Sequence, residues 1–88
     1  MKVSNMLSSA GNPVNNQFSM ELDNGARVFQ SYDSVIVHIT PDSVIVLDSN
    51  YWDYSKTTSK YRNQFTGLTT AQTKTGIADG SIKLVDLN

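Results

Sequence analysis

The segment YWDYSKTTSKYRNQFTGL, residues 51–68, decides the fold because it concentrates the large side chains of this chain. It holds the only Trp, three of the four Tyr and three of the seven basic residues. Tyr61 and Phe65 are four positions apart and would share one face of a helix. We expect Trp52, Tyr61 and Phe65 to cover the apolar strands that the preceding sequence predicts.

A helix is predicted within this segment, with clear limits at both ends. Ser55 is a good N-cap, residues 56–65 form the body, and Gly67 is a natural C-terminal stop. Several Thr, Ser and Asn residues lower the intrinsic helix propensity. Packing of Tyr61 and Phe65 on a sheet must therefore hold the helix in place.

A second helix and a last strand are predicted after the first helix. Thr69 and Gln72 have the spacing of a capping box, so residues 70–79 are expected to be helical up to Gly80. Residues 81–87 predict a strand that inserts into the sheet or forms its edge, with Ile82 and Leu84 on one face and Lys83, Val85 and Leu87 on the other.

The sequence before residue 51 predicts a first β-hairpin. Residues 17–23 alternate Phe, Met and Leu with polar side chains, Asn24-Gly25 is a strong turn signal, and residues 26–32 return. Two registers remain open. A two-residue loop pairs Met20 with Phe29, whereas a three-residue loop with a bulge pairs Met20 with Val28 and Glu21 with Arg27.

A second hairpin is predicted from residues 35–39 and 44–47, joined by a turn with Pro41 at its second position. The pentapeptide DSVIV occurs at residues 33–37 and again at 42–46, a spacing typical of neighbouring strands. Both strands are apolar on successive positions, so we expect them to be central and covered.

Together these elements predict one α+β domain over residues 1–88. It has an antiparallel sheet of about five strands, two hairpins plus a C-terminal strand, covered on one face by one or two short helices. Residues 1–16 are left open between a loose or extended arm and a short helix, because Val3, Met6, Leu7 and Ala10 have helical spacing.

Composition argues against several functional classes. The chain has no Cys, so it has no thiolate metal site, and its net charge of −1 offers no global attraction to nucleic acid. No apolar run is long enough to span a membrane. The charge is uneven, since residues 1–50 carry −3 and residues 51–88 carry +2.

Catalysis, metals and cofactors are not expected. The single histidine, His38, lies inside a predicted strand with no nucleophile beside it, and one imidazole does not make a metal site. We therefore predict a non-enzymatic protein that needs no cofactor, acting as a monomer or a small homo-oligomer.

The candidate binding surface combines exposed tyrosines and cations around the first helix. Tyr, Trp and Arg are enriched in protein-interface hot spots, while cations interleaved with aromatics also suit nucleic acid. Another protein is the first predicted partner, nucleic acid is the alternative, and a structural role through an exposed strand edge is a second alternative. The candidate residues are Tyr51, Tyr54, Lys56, Lys60, Arg62 and Lys74.

The same segment resembles a family of small proteins encoded by tailed bacteriophages. The resemblance rests on the pattern W-x-Y-S-x-T-T-x-K-Y-R-x-x-F at residues 52–65, on the flanking FQSY at 29–32 and NQF at 16–18, and on the terminal DLN. It runs from about residue 16 to residue 88. Thr66 departs from the larger apolar residue usual in that family, so a looser helix end is expected.

The resemblance implies a context rather than a chemistry. It suggests a phage accessory protein in the cytoplasm of an infected bacterium, one that takes over or blocks a host protein. Anti-defence proteins, including CRISPR inhibitors, are one group of that kind. In this context, the structural alternative is a structural or virion-associated phage protein.

Overall fold

The structure is a computed structural model that describes residues 1–88. It contains six strands and two helices, in the α+β arrangement that the sequence predicts. In chain order they are β1 (Lys2–Leu7), β2 (Pro13–Glu21), β3 (Arg27–Ser31), β4 (Ser34–Ile39), β5 (Ile45–Asp48), α1 (Lys56–Thr66), α2 (Thr70–Asp79) and β6 (Ile82–Val85).

All six strands form one sheet in the order of the sequence, β1-β2-β3-β4-β5-β6. The first five strands form an antiparallel meander. The last strand, β6, runs parallel to β5 because both helices are inserted between them. The sheet is therefore mostly antiparallel, with one parallel pair at its edge.

The structure has one strand more than the five predicted, and the additional strand is β1. It is formed by the N-terminal segment whose structure the sequence left open. Residues 2–7 are extended and pair with β2, which rules out the short helix. The helical spacing of Met6 and Leu7 was misleading because the register shifts between Asn5 and Leu7. This irregularity places Met6 in the core although its neighbours are exposed.

The first hairpin adopts the register with the longer loop. Met20 is opposite Val28 and Glu21 is opposite Arg27, so apolar and charged side chains are matched. The Leu22 amide donates to the Ala26 carbonyl, and Gly25 has a φ of 90°, which an L-residue rarely adopts.

The helices begin and end where the sequence predicts. The Ser55 hydroxyl accepts from the Thr58 amide, and Gly67 closes α1 in the left-handed conformation. Thr69 and Gln72 form a complete capping box at the start of α2, which ends at Gly80. The expected stripe of α1 is buried, with Tyr61 and Phe65 in the core.

The two faces of the sheet are covered differently. Phe29 stacks on Phe65 of α1 with ring centroids 5.8 Å apart, and Ile82 contacts α2 at Gly76, so both helices lie on the face of Phe29 and Ile82. Val28 and its cross-strand neighbours point to the other face. No helix packs there, and we call it the open face.

The core lies between the helices and strands β3–β6, and Met6 of β1 also belongs to it. The ring pair of Phe29 and Phe65 is at its centre, and Trp52 packs against its side, as expected from the sequence. Its fully or nearly buried apolar residues are Met6, Phe29, Ile36, Val37, Ile39, Leu47, Tyr61, Phe65 and Ile82.

The carboxylate of Asp48 joins the end of β5 to the chain terminus. One oxygen accepts from the Leu87 amide, and the other accepts from the amides of Asn50 and Tyr51. Burial raises the pKa of Asp48, but these hydrogen bonds outweigh it and hold the pKa below its ordinary value of 3.8. The ionised carboxylate therefore stabilises the fold.

Gly76 allows α2 to approach β6 closely. A Cβ at this position would lie 2.5 Å from Cδ1 and 2.7 Å from Cγ1 of Ile82. Ile82 is itself buried in the core, so it has little room to move. The glycine lowers helix propensity, but the close packing requires it.

Gly76→Ala should destabilise the protein by about 1–2 kcal/mol, because the overpacked methyl outweighs the gain in helix propensity. Urea unfolding at equilibrium measures the change. Thr75→Ala, at the exposed neighbouring position, is the matched control and should not destabilise. Equal or higher stability of Gly76→Ala would contradict the close contact.

Asp48→Asn should lower the free energy of unfolding by about 2 kcal/mol at neutral pH, since an amide cannot accept all three backbone hydrogen bonds. The pKa of Asp48 is lowered on folding. Its stabilisation is therefore present above the unfolded-state pKa and lost as the pH falls through the folded-state pKa. Wild type and variant should differ less at about pH 2 than at pH 7 in urea unfolding; a constant difference would contradict this role.

Candidate functional site

The strongest candidate site is an exposed aromatic pair in the loop between β5 and α1. The rings of Tyr51 and Tyr54 meet edge to face with centroids 5.7 Å apart. Tyr51 is 37% exposed and Tyr54 is 62% exposed. The structure therefore brings together the two tyrosines that the sequence singled out, on the surface beside the start of α1.

Hydrogen bonds fix the backbone of this loop. The Tyr51 amide donates to the Asp48 carboxylate at 2.8 Å, and the Trp52 amide donates to the Asp48 carbonyl. At the other end, the Ser59 hydroxyl donates to the Asp53 carboxylate at 3.0 Å. The aromatic pair is thus displayed by a loop held at several points.

Arg62, predicted as a surface binding residue, is buried. Its side chain has 0% exposure, and the guanidinium lies between the loop and the two helices. Nη1 donates to the Trp52 carbonyl, and Nη2 donates to Thr70 Oγ1 and Asn63 Oδ1, each at 3.0 Å. The prediction is corrected because Arg62 has its partners inside the protein.

The environment of Arg62 compensates only in part for burial of its charge. Burial lowers the pKa of Arg62, and the carboxylate of Asp53, 3.5 Å from Nη1, acts in the opposite direction. The guanidinium also lies over the Trp52 ring, 5.3 Å from the centroid. Arg62 is therefore a structural cation that orients Trp52 and the loop.

The predicted lysines occupy separate positions on the surface. Lys56 and Lys60 are exposed on α1, and the ammonium of Lys60 lies 5.4 Å from the centroid of the Tyr61 ring. Lys74 is exposed on α2 and belongs to a different element. We define the tyrosine surface as Tyr51, Tyr54, Lys56 and Lys60.

A cleft between α2 and the β5–β6 edge was not predicted. It has a volume of about 420 Å³ and an apolar lining formed by Ile45, Leu68 and Ile82. Polar groups, among them Asp79, line the rest. None of the candidate binding residues predicted from the sequence lines this cleft. The one sequence feature that points to it is Gly76, a glycine inside a predicted helix that also lines the cleft.

The sheet is covered on one face, as predicted, but the sequence did not show which apolar residues lie on the open face. Phe18 and Met20 are half-buried there. The register decides this point, because Ser19 is opposite Phe29 on the helix-covered face. One of the two registers left open by the sequence pairs Met20 with Val28, and that register places Met20 on the face opposite to Phe29.

Other chemical groups add no second site. His38 is half-buried on β4, as expected for a strand residue. No three His, Cys, Asp or Glu side chains cluster in a way that could hold a metal ion. Neither helix is both long and apolar enough to cross a membrane.

Arg62→Lys should destabilise the protein by about 3 kcal/mol, because an ammonium cannot form the forked hydrogen bonds to the loop and to Thr70. Lys60→Ala removes an exposed cation from the same helix and should change the free energy of unfolding by less than about 0.5 kcal/mol. Urea unfolding compares the two. Similar changes in the free energy of unfolding for both substitutions would contradict the role of Arg62 as a structural cation.

Comparison with known proteins identifies a family but no activity. No curated protein and no solved structure matches the chain. The family of unknown function DUF8033 matches residues 1–80, a range that includes β1 to β5 and both helices. The chain therefore belongs to the family of unknown function DUF8033.

Proposed function

We propose that this protein acts without catalysis, by binding a protein partner through the tyrosine surface. The observation that carries the proposal is the exposed pair of Tyr51 and Tyr54, held edge to face on a fixed loop. Tyrosine supplies a large contact area with few rotatable bonds, which is why it is enriched in interface hot spots.

Preorganisation supports the proposal. Arg62 and Asp48 hold the loop from two sides, so little conformational entropy is lost when the aromatic pair is buried by a partner. A pair of tyrosines on a mobile loop would lose more of its binding energy in ordering. The structural role of Arg62 thus favours the binding role of the tyrosines.

The charges of the tyrosine surface indicate the chemistry of the partner. Lys56 and Lys60 are exposed on α1, the helix that follows the loop of the pair, whereas the charge of Asp53 is offset by Arg62. A partner with acidic side chains at the rim of its interface would be complementary. Such contacts would steer association and would weaken with salt, while burial of the tyrosines would provide most of the affinity.

A host protein in the cytoplasm of an infected bacterium is the partner that we propose. The support is the resemblance of residues 52–65 to small tailed-phage proteins. A role in host takeover or in blocking a defence system, as CRISPR inhibitors do, fits a small protein without an evident catalytic group. This part of the proposal rests on resemblance and the binding surface alone.

Nucleic-acid binding is the less favoured alternative. It was predicted to use four cations, but Arg62 is buried and Lys74 lies on another helix. Two exposed lysines, Lys56 and Lys60, remain on α1, which gives a small electrostatic contribution. A structural role in the virion has no observation that favours it over partner binding.

Affinity capture from a lysate of infected bacteria tests the proposal with three variants of the tagged protein. Tyr54→Ala should reduce recovery of the partner at least about tenfold, a loss typical of a hot-spot residue. Lys60→Ala should reduce recovery less and make it less salt-dependent. Lys74→Ala removes an exposed cation on α2, outside the tyrosine surface, and is the control that should leave recovery unchanged.

Two outcomes would contradict the proposal. Full recovery of the partner with Tyr54→Ala would move the contact away from the tyrosine surface. Direct binding of purified DNA or RNA, lost steeply between about 50 and 200 mM salt, would favour the nucleic-acid alternative instead.

A further inference from the structure

A row of side chains crosses the open face through all six strands. Its members are directly opposite one another in each neighbouring pair of strands, so they share this face. In the order of the sheet they are Val3, Met20, Val28, His38, Val46 and Lys83. Phe18 and Val35 extend the apolar area through their common neighbour Gln30.

This face is too apolar for a surface that remains in water. Val3 is 56% exposed, and Phe18, Met20, Val35 and Val46 are only half-buried although they lie inside strands, whereas Val28 between them is buried. In an antiparallel sheet that packs on one side, the other side usually carries polar residues. Exposed apolar side chains grouped in this way mark an interaction surface.

The charges of the row on the open face limit which partners can bind there. The row carries one permanent charge, Lys83 on the edge strand β6, and no carboxylate. His38 is the only other titratable group of the row, and its cross-strand neighbours are Val28 and Val46. The centre of the face is therefore neutral, which disfavours a partner that would bury charges against it.

We propose that the open face binds a second copy of this chain, forming a homodimer with two sheets packed face to face. The twofold axis lies between the sheets, parallel to the strands, near β3 and β4. The strand order of one copy is then reversed over the other. Met20 faces the partner's Val46, and Val28 faces the partner's His38.

The reversed order matches the charges of the row. Lys83 faces the partner's Val3, where its aliphatic stem covers an exposed apolar side chain and its ammonium reaches the rim. The other in-plane twofold axis, across the strands, would place Lys83 against the partner's Lys83. Like charges in direct contact make that arrangement unfavourable.

The dimensions of the molecule also fit a dimer. Its principal extents are 35, 30 and 21 Å, and the shortest one accommodates a helix layer on a sheet. The open face thus lies on one of the two broad sides. A standard interface needs about 800 Å² from each partner, which a side of this size can supply, and aligned sheets pack about 10 Å apart.

The dimer interface is independent of the proposed function, because the tyrosine surface belongs to α1 and the loop before it, whereas the open face belongs to the strands. Loss of one contact would leave the other intact. Dimer formation is measured with the purified protein alone, whereas the proposed function requires a second protein.

Sedimentation equilibrium from about 10 μM to 1 mM tests dimer formation. The wild-type protein should approach twice the 9.7 kDa of one chain at the higher concentration. Met20→Lys should raise the dissociation constant at least about tenfold, since it places a cation inside a neutral apolar interface. Leu84→Lys makes the same kind of change at a 39% exposed position on the other face, and it should leave the dissociation constant unchanged.

Cysteine cross-linking tests this arrangement of the two copies. The sequence contains no Cys, so only the introduced cysteines can react. The double variant Met20→Cys/Val46→Cys should form a covalent dimer with a bismaleimide that spans about 10 Å. Each single variant should not, because three strand spacings, about 14 Å along the sheet, separate a residue from its own copy. A wild-type monomer at 1 mM, or cross-linking by the Met20→Cys variant alone, would overturn the proposal.

Discussion

The guanidinium of Arg62 connects three parts of the fold, the loop after β5 and the two helices. It donates to the Trp52 carbonyl in the loop after β5, to Asn63 in α1 and to Thr70 at the start of α2. The loop can display Tyr51 and Tyr54 because Arg62 binds the Trp52 carbonyl between them, while Asp48 binds the Tyr51 amide at the start of the loop. A buried charge is costly, so partial loss of these contacts would leave an unpaired cation and a loosened loop.

The sheet divides its apolar residues between two faces. Strands β3 to β6 place Phe29, Val37 and Ile82 under the helices, and this half of the sheet forms the core. In β1 and β2, Met6 also joins the core, whereas Val3, Phe18 and Met20 point to the open face. Val28 and Val46 of the later strands point to the open face as well. Two short helices cannot cover both sides of six strands, and the uncovered apolar side is the physical reason to expect a second copy there.

Local signals in the sequence predicted the parts of the structure that depend on neighbouring residues. The caps at Ser55 and Thr69 and the stops at Gly67 and Gly80 are confirmed because each depends on hydrogen bonds within a few positions. The burial of Arg62 was not predicted, since its partners Trp52 and Thr70 are ten and eight residues away. The strand at residues 2–7 was left open for the same reason, as Lys2 pairs with the distant Glu21. The sequence also could not show which sheet residues face the helices, because that depends on the register of the strand pairs.

Amide hydrogen exchange in wild type and Arg62→Lys tests most directly whether the buried guanidinium holds the loop that displays the tyrosines. The amides of Tyr51 and Trp52 donate to Asp48 and should exchange slowly in the wild-type protein. In Arg62→Lys, these two amides and those at the start of α2 should lose protection by more than the central amides of β3 and β4. Unchanged protection of the Tyr51 and Trp52 amides in the variant would contradict the account.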